Sequence, residues 1–215
     1  MAMNDLGVKR AARALALAAA LGALGGCAAV SALSSASKAL DAYTLTPISY
    51  AAQGRGARHL VVDAPTASGA IATDRILVTP TPLQAAYLPG ARWVDGAPAL
   101  VQTLLVQSLQ SSGAFRLVSR APGGLYPDYT LMTELRAFQA EPAPEGGAAY
   151  VVRIALTLTL VREADGVPVA SRNVEARAGA GSDAPLVIAA AFDAAMGQVL
   201  RESVGWLSAS IGGGA

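Results

Sequence analysis

The stretch Tyr150-Val-Val-Arg-Ile-Ala-Leu-Thr-Leu-Thr-Leu-Val161 carries a large apolar side chain at every second residue. Its even-numbered positions, Tyr150 to Leu160, are all large and apolar, whereas Arg153 and Thr157 lie at odd positions. Because successive side chains of a strand point to opposite faces of a sheet, this pattern predicts a long antiparallel strand with one face on a core.

Segments on both sides of this strand predict a three-strand meander. Residues 129–138 alternate in the same way, and a loop over 141–147 with two prolines leads into the central strand. Asp165-Gly166 is a hairpin signal that joins the central strand to a third one over 167–178. Shorter strands are predicted upstream and after the first helix, over 43–47, 59–63, 74–78, 83–87 and 115–119.

Two segments have the period and punctuation of amphipathic helices. In residues 95–112, Asp95 is the predicted cap, Pro98 lies in the first turn and Gly113 ends the helix. In residues 184–208, Ser182 or Asp183 is the predicted cap. Together with the strands, they predict an α+β fold: a mostly antiparallel or mixed sheet with two amphipathic helices packed on one face.

The N-terminus predicts export and lipid attachment. Basic residues precede an apolar run over 14–24, whose helix would rise only about 16 Å, roughly half of a bilayer core. This is typical of a signal peptide. Leu24-Gly25-Gly26-Cys27 is similar to a bacterial lipobox, and Cys27 is the only cysteine. The alternative is an ordinary signal peptide with a buried thiol at Cys27.

The predicted domain boundaries follow from these features. Residues 1–26 are a lipoprotein signal peptide, 27–42 a lipidated N-terminus and flexible tether, 43–209 the folded domain and 210–215 a disordered glycine-rich tail. Cys27 would carry a covalent diacylglyceryl group and an N-acyl chain, and no other cofactor is predicted.

The charge balance disfavours nucleic acid as a partner. Of 16 basic and 15 acidic residues, three basic and one acidic lie in 1–26, which leaves 13 basic and 14 acidic residues in the mature chain. His59 is the only histidine, so neither a metal site nor a Ser-His-Asp hydrolase is predicted. His59 is interpreted as a residue at the edge of a strand, and the protein as a non-enzyme.

Five residues in or near the short strands over 74–78 and 83–87 are candidates for contact with a partner or with lipid: Asp74, Arg75, Tyr87, Arg92 and Trp93. The last three lie beside Pro89-Gly90, on a predicted loop. Aromatic side chains next to arginine are common at interfaces. For Asp74 and Arg75 the alternative is a local ion pair at the end of a strand. For Trp93 the alternative is packing on a helix, and Trp206 is predicted to lie in the core.

These features together resemble the ABC-type transport auxiliary lipoprotein family, which includes lipoproteins of the paraquat-inducible protein C type. The resemblance covers about residues 41–210 and departs from the family pattern over 64–72. It rests on the order and spacing of these motifs: Tyr43-Thr44-Leu45 after the lipobox, Asp74-Arg75-Ile76, Tyr87, Trp93, the helix with Pro98, Phe115-Arg116-Leu117-Val118 and Trp206-Leu207.

The resemblance implies a role in transport rather than catalysis. Members serve ABC transport systems built around mammalian-cell-entry (MCE) domain proteins, which move phospholipid or other hydrophobic cargo. The expected partners are an MCE protein and the transporter's permease and ATPase. Copies of this chain are also expected to form a homo-oligomeric ring. An Asp directly after the lipidated Cys would be an inner-membrane retention signal, but this chain has Ala28 there. An outer-membrane anchor facing the periplasm is therefore expected. The alternative is an envelope assembly lipoprotein that binds an outer-membrane β-barrel.

Overall fold

The structure, a computed structural model, describes residues 39–50, 56–121, 123–144 and 147–212. These residues form one mixed sheet of nine strands and two helices, which confirms the α+β prediction. The elements in chain order are β1 (Asp41–Tyr43), β2 (His59–Val62), β3 (Thr66–Ala67), β4 (Arg75–Thr81), β5 (Gln84–Trp93), α1 (Ala97–Ser112), β6 (Leu117–Ser119), β7 (Tyr129–Pro142), β8 (Tyr150–Arg162), β9 (Val167–Ala180) and α2 (Pro185–Gly212).

The predicted meander is confirmed as β7, β8 and β9, with β8 antiparallel to both neighbours. A bulge at Arg136 interrupts the pairing of β7 with β8, because Leu135 pairs with Leu156 and Ala137 pairs with Ala155. The extra residue reverses the phase of β7. As a result Phe138 turns onto the same buried face as Leu135.

The other edge of β7 pairs in parallel with three strands in succession. β2 pairs with the start of β7, β3 with its middle and β4 with its end. β5 is antiparallel to β4, β1 is parallel to β5, and β6 is parallel to β2. β7 is therefore the strand to which all the other parts of the sheet attach.

Both helices contribute to a single core with the buried side of the sheet. Gly113, at φ 67°, ends α1 in the left-handed conformation, as predicted. Gly96 rather than Asp95 occupies the N-cap, with no side-chain hydrogen bond, so the Asp95 cap was wrong. At α2 the Ala184 carbonyl accepts the first helical bonds, so neither Ser182 nor Asp183 holds the cap position. Within the described residues, neither helix combines the length and apolarity that a membrane span requires.

The first strand covers Asp41–Tyr43 and shares only Tyr43 with the predicted 43–47. It stops at Tyr43, the last residue paired with β5. Thr46 then bonds to α2, because its N–H and hydroxyl donate to Asp193 Oδ1 at 2.7 and 2.6 Å. Ile48 N–H donates to Ser108 Oγ on α1 at 3.1 Å. Residues 44–48 therefore form a strap across both helices instead of a strand.

Candidate contact surface

The β4–β5 hairpin carries four of the five predicted contact residues, and the fifth, Asp74, directly precedes β4. Thr81 pairs with Gln84, which leaves Pro82 and Leu83 as a two-residue turn, and Leu83 is 99% exposed. The predicted strand at 83–87 therefore starts one residue later and runs on to Trp93.

A wide bulge in β5 shapes the base of this hairpin. Leu77 pairs with Tyr87, yet Arg75 pairs with Arg92, so five steps along β5 match two along β4. The extra residues include Gly90, whose φ of 71° is in the left-handed region that glycine tolerates. The bulge brings Arg92 level with Arg75.

Four predicted residues form one cluster on the outer side of the hairpin. The Arg75 guanidinium carbon lies 5.6 Å from the centre of the Tyr87 ring, a cation–π contact. Arg92 Nη1 lies 3.5 Å from Asp74 Oδ2, and both side chains are about two-fifths exposed. An ion pair this exposed contributes roughly 0–1 kcal/mol to stability. The cluster is thus an accessible surface of two cations, one anion and a phenol rather than a stabilising network.

Backbone contacts hold this cluster to the preceding loop. Tyr87 Oη donates to the Ala70 carbonyl at 3.4 Å, and the Arg75 N–H donates to Thr73 Oγ1 at 3.3 Å. The Trp93 N–H donates to the Asp74 carbonyl at 2.6 Å. The positions of these side chains are therefore set by main-chain geometry.

Trp93 does not belong to this surface. Its side chain has no exposed area, and its ring centre lies 5.0 Å from that of Phe192 on α2 and 5.5 Å from that of Phe138 on β7. The contact role of Trp93 is corrected to packing against a helix, because neighbouring strand residues face opposite ways and Arg92 faces outward. Trp206 is partly buried against the same core.

His59 is buried at the start of β2 and holds strands together. Its Nε2 lies 3.0 Å from Ser119 Oγ on β6. The Asp128 carboxylate accepts from the His59 backbone N–H at 2.7 Å and pairs with Arg58 at 3.1 Å, so it does not orient the imidazole. Burial alone would raise the pKa of Asp128, but these hydrogen bonds outweigh it and lower that pKa. The three side chains are therefore arranged as structural links rather than as a relay.

The uncovered face of the sheet is polar, a feature that the sequence analysis did not single out. The hydrogen bond from Arg153 and the pairing with Arg177 lower the pKa of Glu175 to about 2, against the burial that raises it. The signal was present at three odd positions of β8, which hold Arg153, Thr157 and Thr159.

An open cavity of about 330 Å³ lies on this face beside β7. Burial, followed by the charge of Glu163, raises the pKa of Asp63 in its wall. The described residues contain no group of three or more histidine, cysteine or acidic side chains suited to hold a metal ion. The cavity therefore offers hydroxyl and carboxyl groups without a metal-ligand set.

The predicted lipidation residue Cys27 and the predicted sorting residue Ala28 lie outside the described residues. The anchor therefore stays a prediction from the sequence.

Comparison with known proteins gives this domain its class. The family model of the ABC-type transport auxiliary lipoprotein component matches residues 43–203, which span β2 to β9 and most of α2. The chain belongs to this family. A transport auxiliary role, rather than a known enzymatic activity, defines the family, and its lipoprotein nature implies attachment to a membrane of the cell envelope.

Individual proteins are similar to this chain in sequence or in fold. An uncharacterized protein of Bradyrhizobium diazoefficiens is 32% identical over 150 residues, and the match spans 68% of this chain but only 38% of that relative. A crystal structure of a protein from Xanthomonas campestris superposes with a TM-score of 0.71 at 28% identity, covering 79% of this chain and 95% of that one. A second solved structure, 16% identical with a TM-score of 0.61, supports the fold alone.

Proposed function

We propose that this chain is the outer-membrane-anchored, periplasmic accessory lipoprotein of an MCE-linked ABC transport system that moves phospholipid or another hydrophobic cargo across the envelope. Its partners are an MCE-domain protein and the transporter's permease and ATPase. The observation that carries the proposal is the family match over residues 43–203, which includes the whole hairpin surface.

The N-terminal sequence supports the anchor. Cys27 closes a lipobox-like motif, and lipid attached there would bury at least two acyl chains, enough for stable rather than marginal attachment. Ala28, the next residue, lacks the aspartate that retains lipoproteins in the inner membrane.

The structure supports a role exercised through surfaces. The histidine, serine and aspartate that could suggest hydrolysis are held in strand-linking bonds, and the imidazole of His59 is 1% exposed. The cluster of exposed Tyr87 with the half-buried Arg75 and Arg92 instead offers groups that bind proteins or lipid headgroups.

Copurification tests the partners. The tagged wild-type protein is captured from membranes solubilised in mild detergent, and the associated proteins are identified by mass spectrometry. Recovery of an MCE-domain protein with its ATPase supports the proposal. Recovery of an outer-membrane β-barrel without them supports the alternative of an envelope assembly factor. Light scattering of the purified protein measures its molar mass and therefore how many copies associate.

Fractionation tests the anchor separately. The Cys27→Ala variant is expected to leave the outer membrane, either as soluble protein or as unprocessed precursor. The Ala28→Asp variant is expected to move from the outer to the inner membrane, whereas a matched control in the tether, Ala32→Asp, stays in the outer membrane. An outer-membrane location for the Cys27→Ala variant contradicts lipid anchoring.

A further inference from the structure

The tip of the β4–β5 hairpin is unusually apolar for a turn. Two-residue hairpin turns normally consist of Asn, Asp or Gly, yet this one is Pro82-Leu83. Leu83 is 99% exposed, and no charged residue occurs from 76 through 91. A projecting leucine within a long uncharged segment favours an apolar surrounding over water.

The tip lies at a defined end of the sheet. β4 runs parallel to β7 and pairs with its last residues, so the turn after Thr81 lies beyond the Pro142 end of β7. α2 starts at the same end, because it follows Ala180, the residue paired with Tyr150 of β8. Leu186, in the first turn of α2, is 69% exposed. Two exposed leucines therefore mark this end of the domain.

The direction of β1 places the chain's entry toward the same end. β1 is parallel to β5, and Asp41 pairs with Ala91, so the chain enters β1 from the side of the tip. Asp41 lies about six strand positions from the tip, roughly 20 Å. Cys27 precedes Asp41 by 14 residues. A chain of that many residues can reach at most about 50 Å, which exceeds the distance to the tip.

We propose that the hairpin tip is a membrane-contact site, with Leu83 inserted into the surface of the bilayer that holds the lipid on Cys27. This inference rests on the proposed lipid anchor. The order of groups down the hairpin fits the depth profile of a membrane surface: an uncharged apolar tip, then Tyr87, then Arg75 beside Arg92. Tyrosine favours the headgroup layer, and arginine pairs with lipid phosphates. The absence of charge at the tip avoids the cost of taking an ion into hydrocarbon.

The single cysteine makes this contact measurable at one residue. In the lipidated protein the Cys27 thiol is occupied, so one introduced cysteine is the only labelling site. We would compare Leu83→Cys with Tyr126→Cys, each carrying a thiol-reactive fluorophore. Tyr126 is fully exposed and precedes the start of β7, the opposite end from the tip, so it is a matched control. Circular dichroism checks that both variants fold.

The full-length lipidated variants are reconstituted into phosphatidylethanolamine–phosphatidylglycerol vesicles that contain a nitroxide-labelled phospholipid. Loss of fluorescence is expected at residue 83 and not at residue 126. The inference is overturned by equal loss of fluorescence at both positions, by loss only at residue 126, or by no loss at residue 83. In each of these cases, flotation of the protein with the vesicles would still support the lipid anchor. Failure to float overturns both the anchor and this inference.

Discussion

Replacement of Phe192 by alanine tests the core that links the hairpin to the rest of the domain. Phe192 on α2 is fully buried and contacts Trp93 of β5 and Phe138 of β7, with ring centres at 5.0 and 4.9 Å. One side chain thus joins the helix to both halves of the sheet, and the Phe192→Ala variant removes that link without touching the exposed cluster.

The expected cost follows from this burial. Returning a buried phenylalanine to water costs about 1.5–3 kcal/mol, and each aromatic pair adds roughly 0.5–1.5 kcal/mol. The remaining cavity cannot fully collapse between a helix and two strands, so the total should reach about 3–5 kcal/mol. Because a domain of this kind is stable by about 5–15 kcal/mol, the variant should fold but with a clearly lower urea midpoint.

Urea unfolding monitored by tryptophan fluorescence measures this cost. The chain has two tryptophans, so a Trp206→Phe background leaves buried Trp93 as the only reporter. The control is Tyr126→Ala, a fully exposed aromatic whose loss should change stability by no more than about 0.5 kcal/mol. A cost below about 1 kcal/mol for Phe192→Ala, or an equal cost for the control, would refute the packing argument.

Three other substitutions test separate features. The Glu175 carboxylate stabilises the fold above its unfolded pKa of about 4.5, and this is lost as pH falls toward about 2. Urea titrations across that pH window should show that the unfolding free energy of Glu175→Gln falls less than that of the wild-type protein. The difference should be below about 1 kcal/mol, because the ion pair is exposed. Gly113→Ala should cost about 1 kcal/mol in thermal unfolding, since its φ is 67°, whereas Gly69→Ala should not. Asp128→Asn should cost about 1–3 kcal/mol in urea unfolding, because it weakens the bond to the His59 N–H and the pair with Arg58.

Local patterns in the sequence predicted the meander and both helices, because strand alternation and the apolar period of a helix act over a few residues. The parallel pairs of β7 with β2, β3 and β4 were not predicted, since they join segments far apart in the chain. The Arg136 bulge left a readable trace: the buried positions of β7 change from odd, at Leu131 and Leu135, to even, at Phe138. β1 was extended too far, because the alternation continues into the strap that bonds to Asp193.

The candidate surface was predicted in part for a similar reason. Asp74, Arg75, Tyr87 and Arg92 were grouped by sequence neighbourhood, and the hairpin does bring them together. Trp93 was included because 87–93 was interpreted as a loop around Pro89-Gly90. Once that segment is recognised as a strand with a bulge, the alternation of side chains places Arg92 and Trp93 on opposite faces of the sheet.

The same alternation determines how the surface should be tested. β5 carries Arg92 outward and Trp93 inward, so one strand serves the accessible cluster and the core together. Replacement of Trp93 would unfold the hairpin, so any partner binding or membrane contact through the hairpin would be lost with it. Such a result would be mistaken for a direct contact by Trp93. Leu83 and Tyr87 lack this ambiguity, because their exposed side chains can be changed without opening the core. If a Leu83 variant loses membrane contact while its unfolding free energy is unchanged, the loss reports on the surface itself. A substitution of the fully buried Trp93 cannot give such a result.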